Sequence, residues 1–196
     1  MQTQLTARPA EEIVATVLPA GYRKSATRAV TVDGEPATLT RYSREDARNA
    51  GLGGEHFSTV IAADGRLKGF ARIDMDLVGG PLPAREEARA IALDFLEEAA
   101  PDLLAGLKIS WIEPHDETIA VTHYGKTQPV TLTGMKVKMR NTADGRWMWV
   151  IVGADRRVMV FERDIVWITF PGHRGTEKWL HDSWLETRGI GPDLGA

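Results

Sequence analysis

Cysteine is absent from this 196-residue chain. Its absence excludes disulfide scaffolds, thiolate zinc sites and thiol nucleophiles. Histidine is scarce, with five residues, so each imidazole can be weighed singly. No stretch approaches the roughly 18 consecutive apolar residues of a membrane helix. The opening, MQTQLTARPAEEIVATVL, lacks the basic-then-apolar layout of a secretory leader, so a cytoplasmic chain with no membrane partner is expected. A formal charge of −3 gives no global attraction to nucleic acid. There is no Gly-x-Ser-x-Gly elbow. Gly51-Leu52-Gly53-Gly54 has neither the spacing nor the strand-to-helix setting of a phosphate cradle, and no cofactor is expected.

What the chain does have is ordinary globular composition, 43% hydrophobic and 26% charged, at a length suited to one large or two small domains. It also has an internal likeness. VIAADGRLKGFAR (60–72) and IVGADRRVMVFER (151–163) align at an offset of 91 residues with five of thirteen positions identical, Ala63/Ala154, Asp64/Asp155, Arg66/Arg157, Phe70/Phe161 and Arg72/Arg163. Both read as β-hairpins. Asp64-Gly65 suits a tight turn that needs positive φ, whereas Arg156 replaces that glycine in the second copy and implies a different or longer turn.

Helical periodicity is clearest over 85–98, where Ala88, Ile91, Ala92, Phe95 and Ala99 form one stripe, Glu86 and Glu87 suit the first turn and Pro101 follows the end. A shorter stripe covers 10–18, with Ile13 and Val17. A third helix is expected over 177–187, capped by Thr176. Strands are expected at 28–32, 37–42, 57–62 and 67–73, then at 107–112, 118–124, 130–140, 147–152 and 157–168. Pro114-His115-Asp116-Glu117 reads as a turn between two of them. Met135, Val137 and Met139 alternate with Lys136, Lys138 and Arg140, the period of an antiparallel strand with one buried face. Trp147, Trp149 and Ile151 alternate with Met148, Val150 and Val152, so that strand is apolar on both faces and is expected to be covered on both.

Leu82-Pro83, Glu86-Glu87-Ala88 and Ala92-Leu93, followed by strands closing on Ala154-Asp155, resemble the PepSY and PepSY-like group. Weaker matches lie at Glu11-Glu12 and Ala63-Asp64-Gly65. The resemblance covers most of residues 9–168. It implies a helix packed across a four-stranded sheet, occurring twice, in an outline similar to the β-lactamase inhibitor protein, whose concave sheet grips a partner. It brings no catalytic residue. The expectation is therefore an α+β protein of two related helix-plus-antiparallel-sheet units, 1–81 and 82–169, with a C-terminal helix and tail over 170–196.

Two constellations carry titratable chemistry. His115, Asp116 and Glu117, with His123 a strand-length on, offer the imidazole and carboxylate donors left to a metal when thiolates are missing. Their spacing is unlike H-E-x-x-H, and a solvated turn explains the first three as well. His173, His181 and Asp182 surround the expected third helix, where interface or capping roles compete with proton transfer. Between 131 and 163, seven basic side chains face three acidic ones. Lys136, Lys138 and Arg140 interleaved with Trp147 and Trp149 suggest a stacking platform for single-stranded nucleic acid. All six tryptophans lie in the second half, and Trp147, Trp149, Trp179 and Trp184 head the binding candidates, because such rings gather at core edges and interfaces.

The reading these features favour is a non-enzymatic binding or interaction protein, using a sheet face or the groove between units for a protein or small ligand. Homodimerisation through the tryptophan face is its simplest form. A small metal-dependent hydrolase around His115 and His123 is the alternative, and single-stranded nucleic-acid binding by the basic sheet a further one.

Overall fold

The computed structural model describes residues 7–195. Residues 1–6, on which part of the leader expectation and the start of the 1–81 unit rest, and residue 196 lie outside the described residues. The elements run α1 (Ala10–Val17), β1 (Tyr22–Val32), β2 (Glu35–Arg44), β3 (His56–Ala62), β4 (Leu67–Ile73), α2 (Arg85–Ala99), β5 (Leu107–His123), β6 (Lys126–Asn141), β7 (Trp147–Val152), β8 (Val158–Ile165), β9 (Trp167–Ile168), β10 (His173–Arg174) and α3 (Asp182–Thr187).

The expected α+β architecture of two helix-plus-sheet units closed by a C-terminal helix is corrected by this arrangement. The eight long strands form one continuous antiparallel sheet, ordered β1-β2-β3-β4-β8-β7-β6-β5, and helices are a minor component. The fold is mainly β because the two four-stranded meanders do not stop at their own edges. β4 pairs with β8 through Gly69↔Glu162, Phe70↔Phe161 and Ala71↔Val160, which satisfies two strand edges that would otherwise expose unpaired backbone groups. The C-terminal helix shrinks to six residues, and Thr176 caps no helix. Its hydroxyl instead donates to Asp33 and accepts from the Val166 N–H.

One sheet face is sealed by the two longer helices. Ile13 and Val14 of α1 and Ala88, Ala92, Leu96 and Ala99 of α2 pack on Phe57, Phe70, Val137, Met148, Val150 and Phe161. The alanine stripe lets α2 approach closely. Its Phe95 then wedges over the β4–β8 seam, with ring centroids 5.8 Å from Phe70 and 5.1 Å from Phe161. The opposite face carries Leu39, Val60, Ala71, Ile151 and Val160 and is covered by the C-terminal segment through Leu180, Leu185, Ile190 and Leu194. Gly69 makes this docking feasible, since a Cβ there would sit 2.4 Å from the Phe161 carbonyl and 3.0 Å from Leu180.

The hairpin turns are closed in the same way at the 91-residue offset. Gly65 N–H donates to Ala62 O and Ala62 N–H to Arg66 O. Likewise Arg156 N–H donates to Gly153 O and Gly153 N–H to Arg157 O. The different turn expected for the second hairpin is thus not found: Arg156 itself takes φ 60° where Gly65 takes 86°. A non-glycine residue pays strain there, and the Arg156 guanidinium compensates by bonding Pro81 O, Ala154 O and Glu87.

A second correction concerns 113–117. No turn interrupts the chain there: β5 is continuous for 17 residues, paired with β6 from Leu107↔Asn141 to His123↔Lys126. The β6–β7 ladder ends at Met135↔Val152, so the outer half of the β5–β6 hairpin overhangs as an arm. It reaches the β2–β3 loop, where Ala120 N–H donates to Gly53 O and Thr122 N–H to the Asn49 side chain. Gly134 lies at the start of the overhang, and a Cβ on it would meet Ile151 at 2.5 Å and Met159 at 2.6 Å. Among the described residues no helix is long and apolar enough to cross a membrane.

Candidate functional site

The overhanging arm, the C-terminal segment and the β2–β3 loop border a pocket of about 470 Å³ on the sheet face away from α1 and α2. Its floor is Ala71, Ile73, Val160 and Leu180. The arm contributes Asp116, Glu117, Thr118 and Gln128, and the C-terminal segment adds His181, Asp182, Ser183 and Glu186. A cavity of this size with an apolar floor and a few convergent polar groups is what small-molecule sites look like.

The strand period explains the polar walls. Leu39 and Arg41 share the β2 face that turns toward the C-terminal segment, as do His56, Ser58 and Val60 on β3. Arg41 is 1% exposed and holds Asp182 in a two-pronged pair at 2.7 and 2.8 Å. Asp182 also accepts the Gly53 N–H at 2.7 Å, so one carboxylate ties the C-terminal segment to both β2 and the loop. Burial alone would raise the Asp182 pKa, but His56, Arg41 and the Gly53 N–H outweigh it and hold the group ionised.

His56 is 3% exposed. Its Nδ1 is 2.9 Å from the Ser58 hydroxyl and its Nε2 lies 3.6 Å from Asp182 Oδ1, beyond hydrogen-bond reach. Burial dominates its titration and pushes it down to about 4, with Asp182 opposing and Arg41 reinforcing the shift. It is a neutral imidazole near pH 7. Serine, histidine and aspartate are thus adjacent, but Ser58 is 2% exposed and sits behind the ring, outside the pocket wall.

A second polar assembly borders the first. Buried Glu162 accepts from Trp149 Nε1 at 3.0 Å and Arg174 at 2.7 Å, and its Oε2 is 3.1 Å from His181 Nε2. Burial would lower the His181 pKa, but Glu162 and Glu117 raise it overall. Burial would raise Glu162, yet His181 and Arg174 hold it well below the usual carboxylate range. On the arm, His115 Nε2 approaches Glu117 at 3.2 Å. Burial would raise Glu117, but that contact and the charge of His181 keep it low.

The residues singled out from the sequence separate into three places. His115 and Glu117 converge. Asp116 instead accepts from Thr133 at 2.6 Å, and His123 is exposed at the hairpin tip, packed edge-on against Tyr124 at 4.2 Å. Among the described residues no group of three histidine, aspartate or glutamate side chains is placed to hold a metal ion. Lys136 and Lys138 lie 4.1 Å over Trp149 and 4.4 Å over Trp147, and Arg140 is 5.3 Å over Trp147. These three cations thus lie over the tryptophan rings of their own sheet. Burial pushes Lys136 down to about 8, against Glu162 and Glu117. Trp179 and Trp184 form a separate edge-on pair at 4.9 Å, with Trp179 Nε1 donating to Thr31 O at 2.7 Å. His173 is exposed on β10, away from the His181–Glu162 pair.

Arg41, His56 and Glu162 were missed from the sequence. The available signal was strand phase: Arg41 falls in step with Ala37 and Leu39, and Glu162 with Val160, so each is a charge written into an apolar face. Comparison of the chain with protein-family models, with curated proteins and with solved structures finds no significant match.

Proposed function

We propose that this chain is a non-enzymatic binding protein for a small organic ligand, held in the groove between the β5–β6 arm, the C-terminal segment and the sheet. The observation that carries the reading is the pocket itself, about 470 Å³ with an apolar floor and polar walls. The buried wall carboxylate Asp182 is matched by Arg41 behind it, and the wall imidazole His181 by Glu162. Such a wall is preorganised to orient a guest, and it spares a neutral guest the cost of facing an unpaired buried charge. The PepSY-like resemblance belongs to the same proposal, because it implies binding and brings no catalytic residue.

The test is a fragment screen by amide-resolved NMR on the full chain. Shifts are expected to cluster at Gly53, Ala71, Ala120 and His181. Ser183 is exposed on the pocket rim, so Ser183→Trp is expected to erase those shifts without moving the melting midpoint. Fragments that collect elsewhere, or that still bind Ser183→Trp at the same residues, overturn the reading.

A further inference from the structure

Resting on that pocket reading, we infer that the pocket selects an organic cation: an apolar ring or chain that lies on Ala71, Ile73, Val160 and Leu180, bearing one protonated amine directed at Asp116 and Glu186.

Three independent features of the wall point this way. The first is a charge imbalance. Four carboxylates line the pocket, Asp116, Glu117, Asp182 and Glu186, against one imidazole able to carry charge, His181. Asp182 is neutralised by Arg41 and His181 by Glu162. Asp116 and Glu186 have no basic partner among the described residues, whereas Glu117 has His115 and the nearby charge of His181. The unmatched charge therefore belongs to the rim carboxylates. They come from opposite walls, Asp116 from the arm and Glu186 from α3.

The second feature is His56. Its side chain is almost wholly buried, lines the pocket, and leaves Nε2 without a hydrogen-bond partner among the described residues. Nε2 is therefore free to meet a guest. In the tautomer whose Nδ1–H donates to Ser58, the neutral imidazole offers its Nε2 lone pair to an ammonium N–H, which an imidazolium cannot. A bound anion would instead call for a charged donor at this position, and the burial that keeps His56 neutral together with the adjacent Asp182 carboxylate works against it.

The third feature is the floor. Ala71, Ile73, Val160 and Leu180 present only carbon to the guest, so a bare inorganic cation, which needs a closed shell of oxygen donors, finds none on that side. An amine carried on an apolar body satisfies both surfaces at once.

The decisive experiment is calorimetric titration of the full chain at low ionic strength and pH 7 with three indoles: tryptamine as cation, 3-methylindole as neutral ring and indole-3-acetate as anion. Tryptamine is expected to bind about tenfold tighter than 3-methylindole, the size of one partly screened charge contact, and indole-3-acetate weakest of the three. The double variant Asp116→Asn/Glu186→Gln, both positions exposed, should weaken tryptamine about five- to tenfold and leave 3-methylindole unchanged. If indole-3-acetate binds as tightly as tryptamine, or the double variant leaves tryptamine unaffected, the cation preference is overturned while the pocket reading stands. If no indole binds, or all bind Ser183→Trp undiminished, the pocket reading falls with it.

Discussion

The two faces of the sheet are built from different chemistry. Under α1 and α2 the centre of the contact is apolar, with alanines for close approach and a run of rings, Tyr42, Phe57, Phe70, Phe95 and Phe161, each 5.1 to 5.8 Å from the next, and ion pairs such as Arg163–Asp102 and Arg72–Asp155 stand at its margins. On the other face apolar contacts share the surface with buried ions: Arg41–Asp182, Glu162–Arg174 and the imidazoles of His56 and His181. Apolar burial is non-directional and stabilises in proportion to area. A buried ion pair contributes little net stability but fixes geometry, and losing one partner strands the other. The helix-covered face therefore supplies most of the apolar burial, and the ion pairs of the other face fix the C-terminal segment over the pocket.

That division can be broken by mutation, most severely on the helix side. Phe161→Ala removes a fully buried ring at the β4–β8 seam and should cost about 3–5 kcal/mol in urea denaturation, lowering the midpoint for every probe together. Asp182→Ala leaves Arg41 charged and 1% exposed without its carboxylate, a loss of about 3 kcal/mol by the usual cost of a broken buried pair. Here the loss should be local: amide exchange should accelerate at Leu180–Ile190 while β6, β7 and α2 keep their protection. Uniform acceleration would show that the two faces are not separable.

Acid should act through the ionic face too. His56 titrates near 4 in the fold and at about 6.5 when unfolded, so between those values the unfolded chain binds the extra proton. Stability then falls as pH drops from about 6.5 to about 4, by up to about 3 kcal/mol. His181 works in the opposite sense. Its raised value adds stability below about 6.5 that disappears as pH rises through the folded value. The net acid loss should flatten in His56→Gln, measured by urea midpoints at pH 7 and 5. The smallest effect is expected at Asp116→Asn/Glu186→Gln, whose melting midpoint should match the parent within about 0.5 kcal/mol equivalent, because neither carboxylate has a basic partner among the described residues.

Much of the helix-covered face was legible in the sequence, because its periodicities are clean. The stripe Ala88, Ala92, Phe95 and the alternation of Met135, Val137 and Met139 each point one way, and α2 and β6 form where those patterns place them. The ionic face was not. Pro114-His115-Asp116-Glu117 carries turn composition, yet it lies within β5, which is the edge strand of the sheet. There a proline without an N–H is tolerated on the unpaired side. The C-terminal stretch has helical spacing at Leu180, Trp184 and Arg188, but Leu180 drops over Gly69 and Trp179 bonds Thr31, so tertiary docking overrides local propensity for all but six residues. The union of the two meanders was hidden for another reason. It depends on edge pairing about Phe70 and Phe161, and residue pattern within a strand does not reveal which neighbour it will choose.

The Arg41–Asp182 clasp spans 141 residues, the Asp33–Thr176 bond 143, and the Asn49–Thr122 bond 73. Contacts so remote in sequence close late, since their loop entropy is lost before they return any energy. A chain cut before residue 182 would keep every long strand of the sheet and lose the pocket wall that carries Asp182, Ser183 and Glu186.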